Sequence, residues 1–156
     1  MGLPYYNFYQ RILLYLYMLS PKRTKYRKTF KTLPSTFTYS DNQLFFGSFA
    51  LKNLGFARLT AKQIEAARRA ITRKLKRKGK LWIKVFPHIP VTAKPVEVRM
   101  GKGKGSLSYW CCPLKPGTLL FELEGVSLDL AKQALLLGAT KLPFQTKFIV
   151  NYTNIK

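Results

Sequence analysis

The sequence predicts an α+β fold in a single domain, and two observations carry that prediction. Short strand-like segments and two helical patterns are mixed without the regular strand-helix alternation of a parallel sheet. A length of 156 residues with 47% hydrophobic and 14% aromatic content also suffices for one core with extensions. A third observation concerns what surrounds that core: 28 Lys and Arg against 6 Asp and Glu give a formal net charge of +22. Self-repulsion on this scale opposes compaction, so a large anionic partner is expected to supply counter-charge. The charge is uneven, with 23 of the 28 cations lying before residue 105.

Residues 1–17 read as an aromatic extension. Asn7, Gln10 and Arg11 interrupt its apolar run, leaving residues 12–19, well short of the roughly 20 that a spanning helix needs. Arg11 is its only cation, whereas transit peptides are Arg-rich. Residues 18–43 read as a basic arm and loop. The twelve residues SPKRTKYRKTFK, from Ser20, hold six cations interleaved with Tyr26 and Phe30, without helical or strand periodicity. Residues 32–42 are polar and turn-rich.

The domain proper is expected over residues 44–150, followed by a short tail at 151–156. Residues 44–52 and 54–59 have strand character. Thr60 and Gln63 then form a T-x-x-Q capping box, and Ile64, Ala67, Ile71 and Leu75 recur at spacings of three and four. This predicts a helix over residues 61–78 with Gly79 just beyond its end. Its remaining surface carries Lys62, Arg68, Arg69, Arg73, Lys74, Lys76, Arg77 and Lys78 against Glu65 alone. Like charges three and four apart destabilise an isolated helix, whereas a phosphate backbone rewards them by counterion release.

Strands are expected at residues 80–86 and 96–100, joined by an extended connection through Pro87, Pro90 and Pro95. Between Arg99 and Gly105 the chain reads Arg-Met-Gly-Lys-Gly-Lys-Gly. Glycine lets a main chain adopt positive φ and approach a phosphate closely, beside the flanking cations. Residues 106–112 lead out of this loop. After Pro116-Gly117, residues 118–123 read as an apolar strand. Ser127 is placed to cap a second helix with Leu130, Ala134 and Leu137 facing the core, and residues 144–152 close the chain as a strand.

Catalytic and metal constellations are missing from this text. Two adjacent cysteines, Cys111 and Cys112, and the single His88 cannot fill a tetrahedral zinc site, and both cysteines read as reduced apolar residues. The segment GKGKGS lacks P-loop spacing, and G-x-G-x-x-G fails as well. Glu122 and Glu124 share a strand face with no histidine beside them and read as solvent-facing partners for lysine. No enzyme, cofactor or small-molecule substrate is expected.

The strings MLSPKRTKYRK, FGSFALK, LTAKQIEAARRAITR, GKLWIKVFP, KPVEVRMGKGKG, KPG and KLPFQTKF follow one another from Met18 onward. In this order they closely resemble the universal large-subunit ribosomal protein sixteen family in its bacterial and organellar form. The resemblance implies an α+β domain of α/β-hammerhead type that is a structural constituent of the large subunit and lies beside the tRNA site. It implies rRNA contact by the arm residues Lys22, Arg23, Lys25, Arg27 and Lys28. The same contact falls to Lys62, Arg68, Arg69, Arg73, Lys76, Arg77 and Lys80 of the helix and its exit. The loop formed by Arg99, Met100, Gly101, Lys102, Gly103, Lys104 and Gly105 is implied to reach toward the peptidyl transferase region and the tRNA acceptor ends. Neighbouring large-subunit proteins are implied partners, with residues 1–17 as a contact.

Three features depart from the family text. Residues 1–17 are additional, residues 29–43 are aromatic and threonine-rich where glycine and arginine are usual, and Cys111-Cys112-Pro113 interrupts a plain apolar strand. Lysines outnumber arginines by 19 to 9, a bias of AT-rich organellar genomes that favours a mitochondrial protein over plastid or bacterial alternatives. A free-standing basic RNA-binding regulator or chaperone is the alternative function.

Overall fold

Seven strands and two helices form among residues 19–30 and 43–151, which the computed structural model describes. In chain order they are β1 (Phe49–Asn53), β2 (Ala57–Thr60), α1 (Ala61–Lys74), β3 (Lys80–Ile83) and β4 (Ile89–Ala93). There follow β5 (Ser106–Leu114), β6 (Leu119–Glu124), α2 (Leu128–Ala139) and β7 (Thr146–Val150). The aromatic extension 1–17, the polar loop 32–42 and residues 152–156 of the tail lie outside the described residues.

The strands make two antiparallel sheets, one ordered β3-β6-β1-β7 and the other β2-β5-β4. The mixture of helix and antiparallel sheet is the expected α+β architecture. Register opposes Phe49 to Leu123 and Leu51 to Phe121, so all four point to one face and pack with both helices. From α1 the cluster takes Ile64, Ala67 and Ile71, and from its C-cap Leu75, all buried. That is the stripe expected from spacing, and each buried Ile or Leu side chain in it contributes about 1.5–3 kcal/mol.

The capping box also forms: the Gln63 amide donates to Thr60 Oγ1 at 3.3 Å, and Thr60 N–H donates to Gln63 Oε1 at 3.0 Å. The helix nevertheless stops at Lys74, four residues short of the expected end. Leu75 is its last apolar anchor, and Lys76 and Arg77 follow in the left-handed region at φ 50° and 65°. Beyond Leu75 only cations remain, so continuing the helix would add like-charge repulsion without burial.

The second helix differs from expectation in its face. Ala131, Ala134, Leu135 and Gly138 are the buried positions, whereas Leu137, expected inward, is 43% exposed. Small residues let α2 approach α1 closely: a Cβ on Gly138 would sit 2.6 Å from Cγ1 of Ile71. Ser127 occupies the N-cap position but makes no side-chain capping hydrogen bond.

The strand expected at residues 96–100 does not form. Val96 and Val98 stand in solvent, and β4 lies earlier, in the proline-rich connection, paired from Ile89 opposite Cys111 to Ala93 opposite Ser106. β4 is an edge strand, where Pro90 does not interrupt a central ladder. β1, β2, β3 and β7 are shorter than the apolar runs suggested, β1 starting at Phe49 and β3 ending at Ile83, whereas β5 runs two residues further, to Leu114. Cys111 and Cys112 are buried free thiols in β5, and burial pushes both thiols up from their ordinary pKa.

Candidate nucleic-acid interface

On α1 and the turn that follows it the cations form a groove, because the buried stripe leaves their positions on the outer side. Arg68, Arg69, Thr72, Arg73, Lys76 and Arg77 line an open cleft of about 560 Å³. Glu65 is the acid that organises it. Arg68 donates to the Glu65 carboxylate through Nε at 2.8 Å and Nη2 at 2.7 Å, and Arg69 Nε donates at 2.9 Å. Burial alone would raise the Glu65 pKa, but the hydrogen bonds and charge of the two guanidiniums outweigh it and hold the carboxyl below its ordinary value. Arg68 and Arg69 are thereby held in a fixed geometry at one wall. Arg73, Lys76 and Arg77 face no carboxylate among the described residues. Lys62 is exposed at the start of the helix.

The arm and the glycine-lysine loop, 70 or more residues apart in sequence, are brought together. Lys28 Nζ donates to the Lys104 carbonyl at 2.8 Å, and Lys104 Nζ donates back to the Thr29 carbonyl. The Lys104 ammonium also lies 5.7 Å from the centre of the Phe30 ring. Below this reciprocal latch, Thr24, Arg27, Lys28, Ser106, Leu107 and Trp110 line a cleft of about 450 Å³ between arm and β5. Lys22, Arg23 and Lys25 remain exposed on the arm, and Lys25 lies 5.4 Å from the Tyr26 ring centre.

The loop itself is an exposed excursion between β4 and β5. Gly101, Lys102 and Gly103 all have positive φ, at 100°, 52° and 85°, which explains the alternating glycines. Lys94 braces the turn by donating to the Gly101 carbonyl at 2.5 Å. Arg99, Met100 and Lys102 project into solvent, with Met100 fully exposed. The two loop lysines therefore differ: Lys104 is engaged at the base, while Lys102 stands at the tip.

Lys80 belongs to a third place. It opens β3 and lies 5.0 Å from the Trp82 ring centre, not in the α1 groove. The strand continues into Lys84, whose ammonium reaches Glu122 Oε1 at 3.3 Å. Glu122 is completely buried, contrary to the reading that it faces solvent with Glu124. Its Oε2 accepts the backbone N–H groups of Phe46 at 2.7 Å and Gly47 at 3.1 Å. Residues 45–47 thus fold over the sheet face opposite the helices and cover the carboxylate, which no local sequence pattern reveals. Lys84, Lys94, Phe45, Phe46 and Trp82 are the residues that sequence reasoning passed over; the cation-aromatic interleaving noted in the arm recurs in residues 80–86 and was the available signal.

Strongly basic surfaces on an α+β frame, with a glycine loop held out from it, define a protein built to lie against a polyanion. Among the described residues no group of three His, Cys, Asp or Glu is placed to hold a metal ion. The family model described as Ribosomal protein L16p/L10e matches residues 21–149, and the chain belongs to that family. It is 59% identical over 132 residues to the large ribosomal subunit protein uL16 of Chelativorans sp. (strain BNC1), covering 85% of this chain and 96% of that one. The large ribosomal subunit protein uL16 of Sinorhizobium medicae (strain WSM419) is 58% identical over the same length and coverage.

Proposed function

We propose that this chain is a structural constituent of the large ribosomal subunit, seated on large-subunit rRNA and without catalysis of its own. The observation that carries this reading is the 59% identity to a protein named for the large subunit, over 96% of that protein's length. The arm, the α1 groove and Lys80 meet backbone phosphates, each neutralised phosphate releasing condensed counterions. The Arg99 to Gly105 tip extends toward the tRNA acceptor ends and acts as a positioning finger in the peptidyl transferase region. Residues 1–17 contact neighbouring subunit proteins, and the site of action is the mitochondrial matrix, favoured by the 19 to 9 excess of lysine over arginine. The bacterial source of both relatives makes a bacterial cytoplasm the competing location.

The test is sedimentation of tagged full-length protein from the source cells. Stoichiometric migration with large subunits at moderate salt, in the mitochondrial fraction, is the expected result. Recovery only as free protein overturns the ribosomal assignment, and recovery with ribosomes outside mitochondria overturns the location alone.

A further inference from the structure

A row of rings and cations on the outer face of the four-stranded sheet is left unused by the arm, the groove and the loop. Lys80, Trp82 and Lys84 alternate along β3 and its continuation, so all three point to one face. Phe46 stacks on Trp82 with ring centres 5.9 Å apart and planes inclined by 21°. Lys80 lies 5.0 Å from the Trp82 centre, and Lys84 lies 4.6 Å from Phe46 and 4.9 Å from Phe45. The order in space is therefore cation, ring, ring, cation, ring.

Phe45 and Phe46 are 69% and 54% exposed. Phe45 accordingly adds little to the core, yet it is not loosely held. Its neighbours Phe46 and Gly47 are pinned through their backbone amides to the buried Glu122, and the same carboxylate draws Lys84 beneath the rings. Gly47 permits this seat, since a Cβ there would lie 2.6 Å from the Leu123 carbonyl oxygen. A fully buried carboxylate is costly to keep, and here it fixes an aromatic surface toward solvent. Glu124 stands opposite Lys80 in the register without an ion pair between them, bounding the patch at one end.

We propose that this row is a stacking platform for unpaired RNA nucleotides. Bases stack on the outward faces of Phe45 and Phe46, and Lys80 meets the adjoining phosphate. Every base offers a π face, so such a platform accepts single-stranded segments with little sequence preference. Charge complementarity favours RNA over an apolar protein segment: Lys80 and Lys84 are both exposed cations of the row, and the Glu122 carboxylate beneath it is buried and already bonded. This site rests on the rRNA-binding reading above and names a particular contact within it.

The experiment uses full-length protein carrying Trp110→Phe, so that Trp82 is the only tryptophan, titrated with an unstructured oligouridylate. Binding is expected to quench Trp82 fluorescence. Phe45→Ala is expected to lower affinity by about 5- to 160-fold, with Phe45→Tyr restoring it. Because stacking releases no counterions, Phe45→Ala should leave the slope of log affinity against log salt unchanged, whereas Arg73→Gln with Arg77→Gln should flatten it. Phe45 is largely exposed, and an unchanged circular dichroism melt establishes that its variants fold. RNA binding that depends on Arg73 and Arg77 but neither quenches Trp82 nor responds to Phe45→Ala overturns the platform alone. Absence of RNA binding in every variant overturns the rRNA reading with it. Self-association abolished by Phe45→Ala, with RNA affinity intact, assigns the rings to a protein neighbour and also overturns the platform.

Discussion

Glu122 connects the sheet to the segment that precedes it, and Glu122→Gln tests that connection with almost no change in volume. In the native protein one carboxylate oxygen accepts two backbone N–H groups, from Phe46 and Gly47. Hydrogen bonds to a charged acceptor contribute about 1.5–3 kcal/mol, against about 0.5–1.5 for neutral ones. Exchanging the carboxylate for an amide therefore weakens the pair by about 2–3 kcal/mol together. The Lys84 side chain keeps 25% exposure and can turn to water, so losing its ion pair adds at most about 1 kcal/mol. Removing the carboxylate's own desolvation cost pulls the other way. A net loss of about 2 kcal/mol corresponds to a fall in melting temperature of about 4–8 °C for a chain of this size. Glu122→Leu should be worse, because it leaves both amides without an acceptor at about 1–3 kcal/mol each. Thermal melts followed by circular dichroism, with quenching of Trp82 by iodide as a local probe, measure both effects. A Glu122→Gln protein that melts within about 1 °C of the parent, with unchanged quenching, refutes the argument that this carboxylate holds residues 45–47 in place.

Glu65 yields a pH dependence. Its folded pKa is depressed, so its stabilising contribution is full above the ordinary carboxylate value of about 4.3 and fades as pH falls through the lowered folded value; the melting difference between parent and Glu65→Gln should shrink from pH 7 toward pH 3. Gly138→Ala gains up to about 1 kcal/mol of helix propensity but forces a methyl against Ile71, a clash of about 1–3 kcal/mol. The net should be destabilising in urea titrations, and less so in an Ile71→Val background. Lys104→Ala should loosen the arm and speed tryptic cleavage at residues 22–28, whereas Lys102→Ala should leave the cleavage rate unchanged, since among the described residues the Lys104 ammonium bonds the arm at Thr29 and that of Lys102 does not. In assembled ribosomes, Arg69→Gln with Arg73→Gln should reduce incorporation, while neutralising Lys102 and Lys104 together should impair tRNA accommodation more than incorporation. Equal incorporation defects from both pairs contradict that division.

Where the governing physics acts over a few residues, the sequence was readable. Thr60, Gln63 and the four apolar positions from Ile64 to Leu75 are sufficient to start α1 and choose its face, since capping and periodicity operate within one or two turns. Its stop was not readable, because the turn at Lys76 and Arg77 uses a left-handed backbone that no glycine announced there. The strand β4 was missed for a related reason. Three prolines spoke against pairing, and only the edge position beside β5 made Pro90 acceptable. Leu137 was misassigned because α2 is apolar around much of its circumference, so spacing could not say which side α1 would occupy.

Of the candidate surface, the cationic helix face and the exposed glycine-lysine loop were legible from composition and spacing, and so was the family. The difference between Lys102 and Lys104 was not, nor was the displacement of Lys80 onto an aromatic row. By itself the sequence determined that this protein is a basic α+β domain carrying charge on α1, arm and loop, because helix periodicity, capping and glycine backbone freedom are local properties. Tertiary structure alone decided that the arm latches to the loop and that Glu122 is buried beneath Phe46. Those contacts join residues 75 or 76 positions apart, and a side chain's burial and partners at that separation are set by how the sheets close, not by its neighbours in the chain.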